Sequence, residues 1–407
     1  MLIAHLTQRR LEREAASLTR RRRMAESPCG PRQRVSAADG SVREYLGFCS
    51  NDYLGLARHP RLVEALVRGA QRWGVGSGAS HLVSGHSRAH AELERRLAQM
   101  MAGTIPGAEA LLFCSGYMAN LAVLTTLGDG QTAIFADKLN HASLIDGGLL
   151  ATAGMRRYVH GRTDQLESML RDCTAPIRLI VTDAVFSMDG DLAPLVELLA
   201  LAERHDAWLI VDDAHGFGVL GECGRGSLSH LGLCSERIIY MGTLGKAAGV
   251  AGAFVAAHPA IIDALVQGAR SYTYTTAMPS ALVLALAASL DVIEGEEGER
   301  RRAQLYARVA QLRERLAGII ARHPDCGWRL PASETAIQAL IVGDNARALA
   351  LAAALEAQGL WVPAIRPPTV PSGTTRLRIT LSAAHGAADV EQLCAALEVL
   401  ARQGVCE

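Results

Sequence analysis

From about residue 60 to residue 280, short apolar runs alternate with stretches of helical spacing, and that alternation limits the chain to very few architectures. The runs fall at 110–113, 132–135, 179–181, 208–211, 238–241 and 253–255, with helical segments such as 89–101 and 192–204 between them. Strands that are apolar on both faces and separated by helices belong in a mostly parallel sheet covered on both sides. Ligands bind such sheets beyond the carboxyl ends of the strands, and polar or glycine residues follow several of these runs.

Outside this region the pattern changes. The first 24 residues are predicted as a helix ending in the basic run Arg20 to Arg23. A Pro- and Gly-containing loop or short hairpin follows to residue 40, then a strand at 45–48. After Pro279 a long helical stretch breaks at Glu294-Gly295 and resumes over 299–321. Strand-like segments at 336–342 and 376–381 then alternate with helices at 347–358 and 388–403. At 407 residues two cores are the natural expectation. The predicted organisation is an N-terminal helix and arm (1–45), a large α/β domain (46–285) and a smaller C-terminal α+β domain (286–407).

The 41 basic side chains balance 41 acidic ones, so no whole-molecule field recruits nucleic acid or an anionic membrane, and neither is expected as a partner. The longest apolar stretch, around 281–290, is too short to span a bilayer. Glu12 and Glu14 among the N-terminal arginines argue against a targeting leader. Nine cysteines without a C-x-x-C pair predict reduced thiols in the cytoplasm and neither a disulfide framework nor a structural zinc site.

Two segments carry chemistry. In Ile210-Val211-Asp212-Asp213-Ala214-His215-Gly216 an apolar strand ends in two carboxylates and an imidazole. A metal site, an acid/base pair and a cofactor clamp all compete for it, and Asp212 alone could equally cap a helix. In Tyr240-Met241-Gly242-Thr243-Leu244-Gly245-Lys246 a strand runs into a turn bearing a lysine among small residues, which let a backbone approach a flat ligand. Together they fit pyridoxal phosphate, which needs a lysine for the Schiff base and a carboxylate facing its pyridine nitrogen. A phosphate cradle is also needed. Ser115-Gly116-Tyr117 opens a helix and could supply one, although a plain helix cap explains the tripeptide equally well.

These segments resemble the α-oxoamine synthases, a family of fold-type-I pyridoxal-phosphate enzymes. The resemblance spans nearly the whole chain. It runs through Ser50-Asn51-Asp52-Tyr53-Leu54-Gly55, Gly76-Ser77-Gly78, Ser84-Gly85-His86-Ser87, Ser115-Gly116-Tyr117, Asn140-His141-Ala142-Ser143 and Phe186-Ser187-Met188-Asp189-Gly190, besides the two segments above. It implies a large, mostly parallel seven-stranded sheet domain covered by helices and a smaller C-terminal α+β domain. It also implies that Lys246 forms the Schiff base and moves the Cα proton, that Asp212 faces the pyridine nitrogen, and that His141 stacks on the ring. By the same resemblance His215 and Ser187 reach the phenolic oxygen, and Ser115, Gly116, Tyr117 and Thr243 hold the phosphate. Thr275 or Thr276 of a second subunit would help there, which makes the chain a homodimer.

Within the family, Ile341-Val342-Gly343-Asp344-Asn345 and Ala364-Ile365-Arg366-Pro367-Pro368-Thr369-Val370-Pro371 are similar to the branch that joins L-alanine to a pimeloyl thioester in biotin synthesis. Coenzyme A and an acyl carrier protein both remain open as carriers. Arg376-Leu377-Arg378 matches the family's carboxylate-binding arginine, and of the two arginines Arg378 is the better match, with Asn51 beside it. A guanidinium suits that role because its planar fork takes a carboxylate in two parallel bonds. Arg21, in the basic run, matches a segment facing the substrate entry. Sibling enzymes using glycine with acetyl or succinyl thioesters compete, and the proline-rich segment speaks against them. A non-catalytic subunit would lack Lys246, and a transaminase would usually show Asp-x-Ala-Tyr where Asp212-Asp213-Ala214-His215 stands.

Overall fold

The computed structural model describes residues 1–15, 18–19, 22–36 and 40–403. Its strands are β1 (Met24–Ala25), β2 (Arg32–Ser36), β3 (Val42–Gly47), β4 (Glu109–Phe113), β5 (Thr132–Asp137), β6 (Gly154–Tyr158) and β7 (Ile177–Asp183), then β8 (Trp208–Asp212), β9 (Ile238–Thr243), β10 (Ala253–Ala257), β11 (Ile337–Gly343), β12 (Leu360–Trp361), β13 (Ala364–Ile365) and β14 (Thr375–Thr380).

Seven of them form the central sheet in the order β4-β10-β9-β8-β7-β5-β6. Only β10 runs against its neighbours. The six predicted apolar runs are all strands here, and the physical reason is visible in their burial. Leu112, Phe135, Ile180, Val211, Tyr240 and Phe254 lie in one apolar cluster, while their neighbours Leu111, Ile134, Leu179, Ile210, Ile239 and Val255 lie in a second. Successive side chains of a strand point to opposite faces, so both faces of this sheet are dry and covered by helices. The carboxyl ends of β4, β5, β6, β7, β8 and β9 share one edge.

The C-terminal part packs the helices Glu296–Arg322, Asn345–Ala357 and Ala387–Arg402 with an antiparallel sheet of order β11-β14-β13. The helix Ser280–Glu294 leads into it and breaks at Gly295, whose backbone is extended (φ −87°, ψ 177°), as the sequence predicts. Strand β3 pairs in parallel with β12, so the N-terminal meander β1-β2-β3 joins the C-terminal part through that strand. The expected boundaries at 45/46 and 285/286 fall inside β3 and inside the helix Ser280–Glu294.

One element is shorter than predicted. The first helix is Leu2–Ala15, not the first 24 residues, and none of its residues is buried. Leu2, Leu6 and Leu11 find no core, and by Met24–Ala25 the chain is a strand paired with Val35–Ser36.

Candidate active site

Strand β8 ends on Asp212, which is 3% exposed. Its Oδ2 accepts from Asn120 Nδ2 at 2.6 Å and its Oδ1 from the Ala214 backbone N–H at 3.0 Å. Across the β7–β8 ladder it faces Asp183, also buried. Burial, and then the charge of Asp212, push Asp183 well above the ordinary carboxylate range. Asp183 Oδ2 accepts the backbone N–H of His141 at 2.6 Å and thereby fixes the turn after β5. The neighbouring Asp213 holds the turn together, accepting Ser227 N–H at 2.7 Å, Ser227 Oγ–H at 2.6 Å and the Tyr240 hydroxyl at 2.9 Å.

Lys246 stands in the turn after β9. Its Nζ lies 2.9 Å from His215 Nε2, and His215 Nδ1 lies 2.5 Å from the Tyr53 hydroxyl. Tyr53 in turn reaches Asn51 Oδ1 at 3.2 Å, which Arg378 Nη2 approaches at 3.3 Å. Every hydrogen in this chain has an acceptor when Lys246 donates to Nε2, Nδ1–H donates to Tyr53, and Tyr53 and Arg378 both donate to Asn51. Burial first, and the adjacent Lys246 charge second, hold His215 well below the ordinary imidazole value, so it is neutral. Burial also brings Lys246 down from 10.5 to about 8, against the opposing pull of Asp212 and Asp183.

His141 caps the helix Ala142–Leu150; its Nδ1 lies 2.7 Å from Ser143 Oγ, and Ser143 Oγ also receives Asn120 Nδ2 at 2.9 Å. The Ser187 turn is gripped from both parts of the molecule. Arg376 and Arg378 alternate on β14 and so face one way. Arg378 Nε donates to the Ser187 carbonyl at 2.5 Å, and Arg376 pairs with Asp189 and donates to the Met188 carbonyl at 3.3 Å. Ser333 and Thr335 both donate to the Gly190 carbonyl, at 2.9 and 3.0 Å. From the large sheet His160 binds Asp137 Oδ2 at 3.1 Å and Asp191 Oδ2 at 2.9 Å, and its edge meets the Phe186 ring. Those hydrogen bonds to Asp137 and Asp191 raise the imidazole to about 10, so His160 is a cation linking the end of β5 to the Ser187 turn.

A cavity of about 710 Å³ opens over this edge of the sheet. Asn51, His141, Ser187, His215, Lys246 and Arg378 line it, so six of the sequence-predicted residues meet there. Ser115 caps the helix Gly116–Leu127 by accepting Met118 N–H at 3.3 Å. Gly116 sits beside strand β9: a Cβ there would lie 3.4 Å from Met241 Cε and 4.0 Å from Thr243 Oγ1. The Tyr117 hydroxyl turns to Asp146. Thr275 and Thr276 lie on the loop before Pro279, where the Thr276 carbonyl accepts from Cys114 Sγ at 3.5 Å, one residue from the Ser115 cap. Arg21 lies outside the described residues.

The residues present fit pyridoxal phosphate. An amine close to neutrality stands near a buried carboxyl group, and a helix N-terminus beside Thr243 offers backbone N–H groups unobstructed by a Cβ. Asn120 Oδ1 is buried without a partner next to Asp212. Sequence reasoning did not single out Tyr53 as a site residue, nor Asn120, Asp183 and His160, and it placed Arg376 behind Arg378. Each acts through a contact distant in sequence, and only Tyr53 and Arg376 stood within recognised motifs.

Residues 43–397 match the sequence family described as aminotransferase class I and II. The chain is 68% identical to the 8-amino-7-oxononanoate synthase 2 of Polaromonas sp. over 403 residues, covering 99% of this chain and 100% of the relative. It is 67% identical to the 8-amino-7-oxononanoate synthase of Leptothrix cholodnii over 407 residues, with 99% and 100% covered. Among solved structures it resembles the serine palmitoyltransferase of Sphingomonas wittichii, at 30% identity and a TM-score of 0.88, with 99% and 98% covered. It also resembles the 8-amino-7-oxononanoate synthase of Francisella tularensis, at 31% identity and a TM-score of 0.73, with 88% and 97% covered.

Proposed function

We propose that the chain, which belongs to the aminotransferase class I and II family and to its 8-amino-7-oxononanoate synthases, joins L-alanine to a pimeloyl thioester with loss of carbon dioxide. The products are 8-amino-7-oxononanoate and the free thiol, and the reaction is a step in making biotin. The observation that carries this reading is the meeting of Lys246, His215 and Arg378 in one cavity above Asp212, in a chain alike along its full length to enzymes of that name.

Bound pyridoxal phosphate supplies a cationic ring that takes up the electrons released when a bond to the amino acid's Cα breaks. Lys246 would hold the cofactor at rest and, once freed by alanine, remove the Cα proton through Nζ. Neutral His215 accepts the Lys246 hydrogen bond without adding a charge, and it is burial that favours the uncharged amine. Asp212 would pair with the pyridine nitrogen. Ser115, Gly116, Tyr117 and Thr243 would hold the phosphate, and Ser187 and His215 would reach the phenolic oxygen. His141 would lie against the ring and serve the acyl carbonyl. Arg378 and Asn51 would take the alanine carboxylate, and Arg21 would face the incoming thioester.

The working unit is a homodimer in which Thr275 or Thr276 of a second subunit completes the phosphate site. The exposed apolar side chains Val75, Leu82, Val83 and Tyr274 support this, because such surface on a monomer marks a contact. The cytoplasm is its place, in keeping with thiols that are all unpaired among the described residues.

The test is incubation of the purified chain and pyridoxal phosphate with L-alanine and pimeloyl-CoA, followed by mass analysis. The expected product is 8-amino-7-oxononanoate with one carbon dioxide released per thiol. Turnover with glycine and a short acyl thioester alone would assign a sibling reaction instead.

A further inference from the structure

Of the 41 lysines and arginines only two are lysines, Lys138 and Lys246, and both line the same cavity. Lys246 is claimed by the cofactor. The guanidinium of Arg378, the other basic group in the lining besides the two histidines, is spoken for by the alanine carboxylate. Among the described residues no aspartate or glutamate lines the cavity, so it is built to receive anions. Pimelate has a carboxylate at each end, and the far one remains charged after thioester formation at the near one. Alanine and the thioester therefore bring two carboxylates into a cavity in which one cation is still unassigned.

Lys138 has the properties that partner needs. It follows β5 directly, with its N–H on the Tyr158 carbonyl at 3.0 Å and its own carbonyl held by the Arg157 guanidinium. The next residue is anchored too, since Leu139 N–H binds Asp137 Oδ1 at 2.8 Å. The root of the side chain is thus fixed, while among the described residues no carboxylate pairs with its exposed ammonium. Leu139, Met188, Pro368, Val370 and Pro371 line the same cavity and offer apolar surface to a methylene chain. A flexible, hydrated point charge at the rim can follow the end of such a chain, where a rigid guanidinium fork would demand one geometry.

We propose that Lys138 binds the far carboxylate of the acyl chain and so makes the enzyme select a dicarboxylic acyl thioester. This rests on the function proposed above. The same ammonium could instead meet the phosphates of the acyl carrier, and the experiment separates the two anions. Pimeloyl-CoA and octanoyl-CoA share the carrier and differ at the chain end, so their apparent affinities, read as KM or as Ki against pimeloyl-CoA, are compared in the wild type, Lys138→Gln and Lys138→Arg.

The proposal expects Lys138→Gln to weaken pimeloyl-CoA relative to octanoyl-CoA by about five- to ten-fold, the scale of one partly solvated charge pair, with Lys138→Arg close to the wild type. Equal weakening of both thioesters would assign Lys138 to the carrier's phosphates and overturn the proposal. An unchanged ratio with unchanged affinities would overturn it as well. If the wild type instead condensed alanine with neither thioester, the proposed function itself would fail. An unaltered visible cofactor band in each variant shows that the fold and the Lys246 site are intact.

Discussion

An amine attacks a carbonyl only when neutral, and burial places Lys246 at about 8, well below an exposed lysine. The apoenzyme should accordingly take up pyridoxal phosphate faster as pH rises, with a midpoint near 8 followed by a plateau; stopped-flow absorbance measures this. A midpoint near the ordinary lysine value would mean that the pocket does not depress the amine. Tyr53→Phe removes the acceptor of the His215 Nδ1 hydrogen and leaves a buried donor unpaired, at a cost of about 1–3 kcal/mol. The expected outcome is a kcat lowered about ten-fold or more with the KM for alanine little changed, by steady-state kinetics. Lys246, Asp212, His215 and His141 were readable in the sequence because each sits in a short motif at a strand end. Asn120 and Asp183 were not. They reach Asp212 from another helix and another strand, and nothing local in sequence marks such a contact.

Among the elements, the turn carrying Ser187 joins the two parts of the molecule, and His160 is its tie to the large sheet. A histidine raised in the folded state stabilises fully below its unfolded pKa of about 6.5 and loses that contribution as pH rises through the folded value of about 10. His160→Ala should therefore lower Tm most at about pH 6, with the gap to wild type shrinking towards about pH 10; thermal melts across that range check it. A gap independent of pH would reduce His160 to packing against Phe186. Gly190 in the same turn has φ +79°, and a Cβ there would lie 2.2 Å from the Ile337 carbonyl oxygen. Gly190→Ala should cost about 2 kcal/mol or more, read as a lower Tm together with reduced kcat. The sequence periodicity located the buried strands because dryness on both faces leaves unbroken apolar runs. It overextended the N-terminal helix because leucine spacing reports a helix without reporting where helix formation stops, and nothing buries those leucines.

At the scale of the whole molecule, the central sheet brings six strand ends to one edge, and the C-terminal sheet closes over it with Arg376 and Arg378. Composition and the alternation of elements sufficed for that layered plan, whereas the grip of β14 on the Ser187 turn joins residues far apart in the chain and only coordinates reveal it. The proposed dimer predicts that Val83→Asp, placed on a side chain 80% exposed in one chain, yields monomer by light scattering and weakens cofactor retention. A dimer unaffected by that change would move the interface elsewhere. The most direct measurement is the absorption spectrum of the purified protein with pyridoxal phosphate, recorded alone, after L-alanine, and after pimeloyl-CoA. A visible band that Lys246→Ala abolishes, that shifts with alanine, and that changes again only when the pimeloyl thioester arrives is the predicted result. No cofactor band in the wild type, or a response confined to glycine and short acyl thioesters, would contradict it.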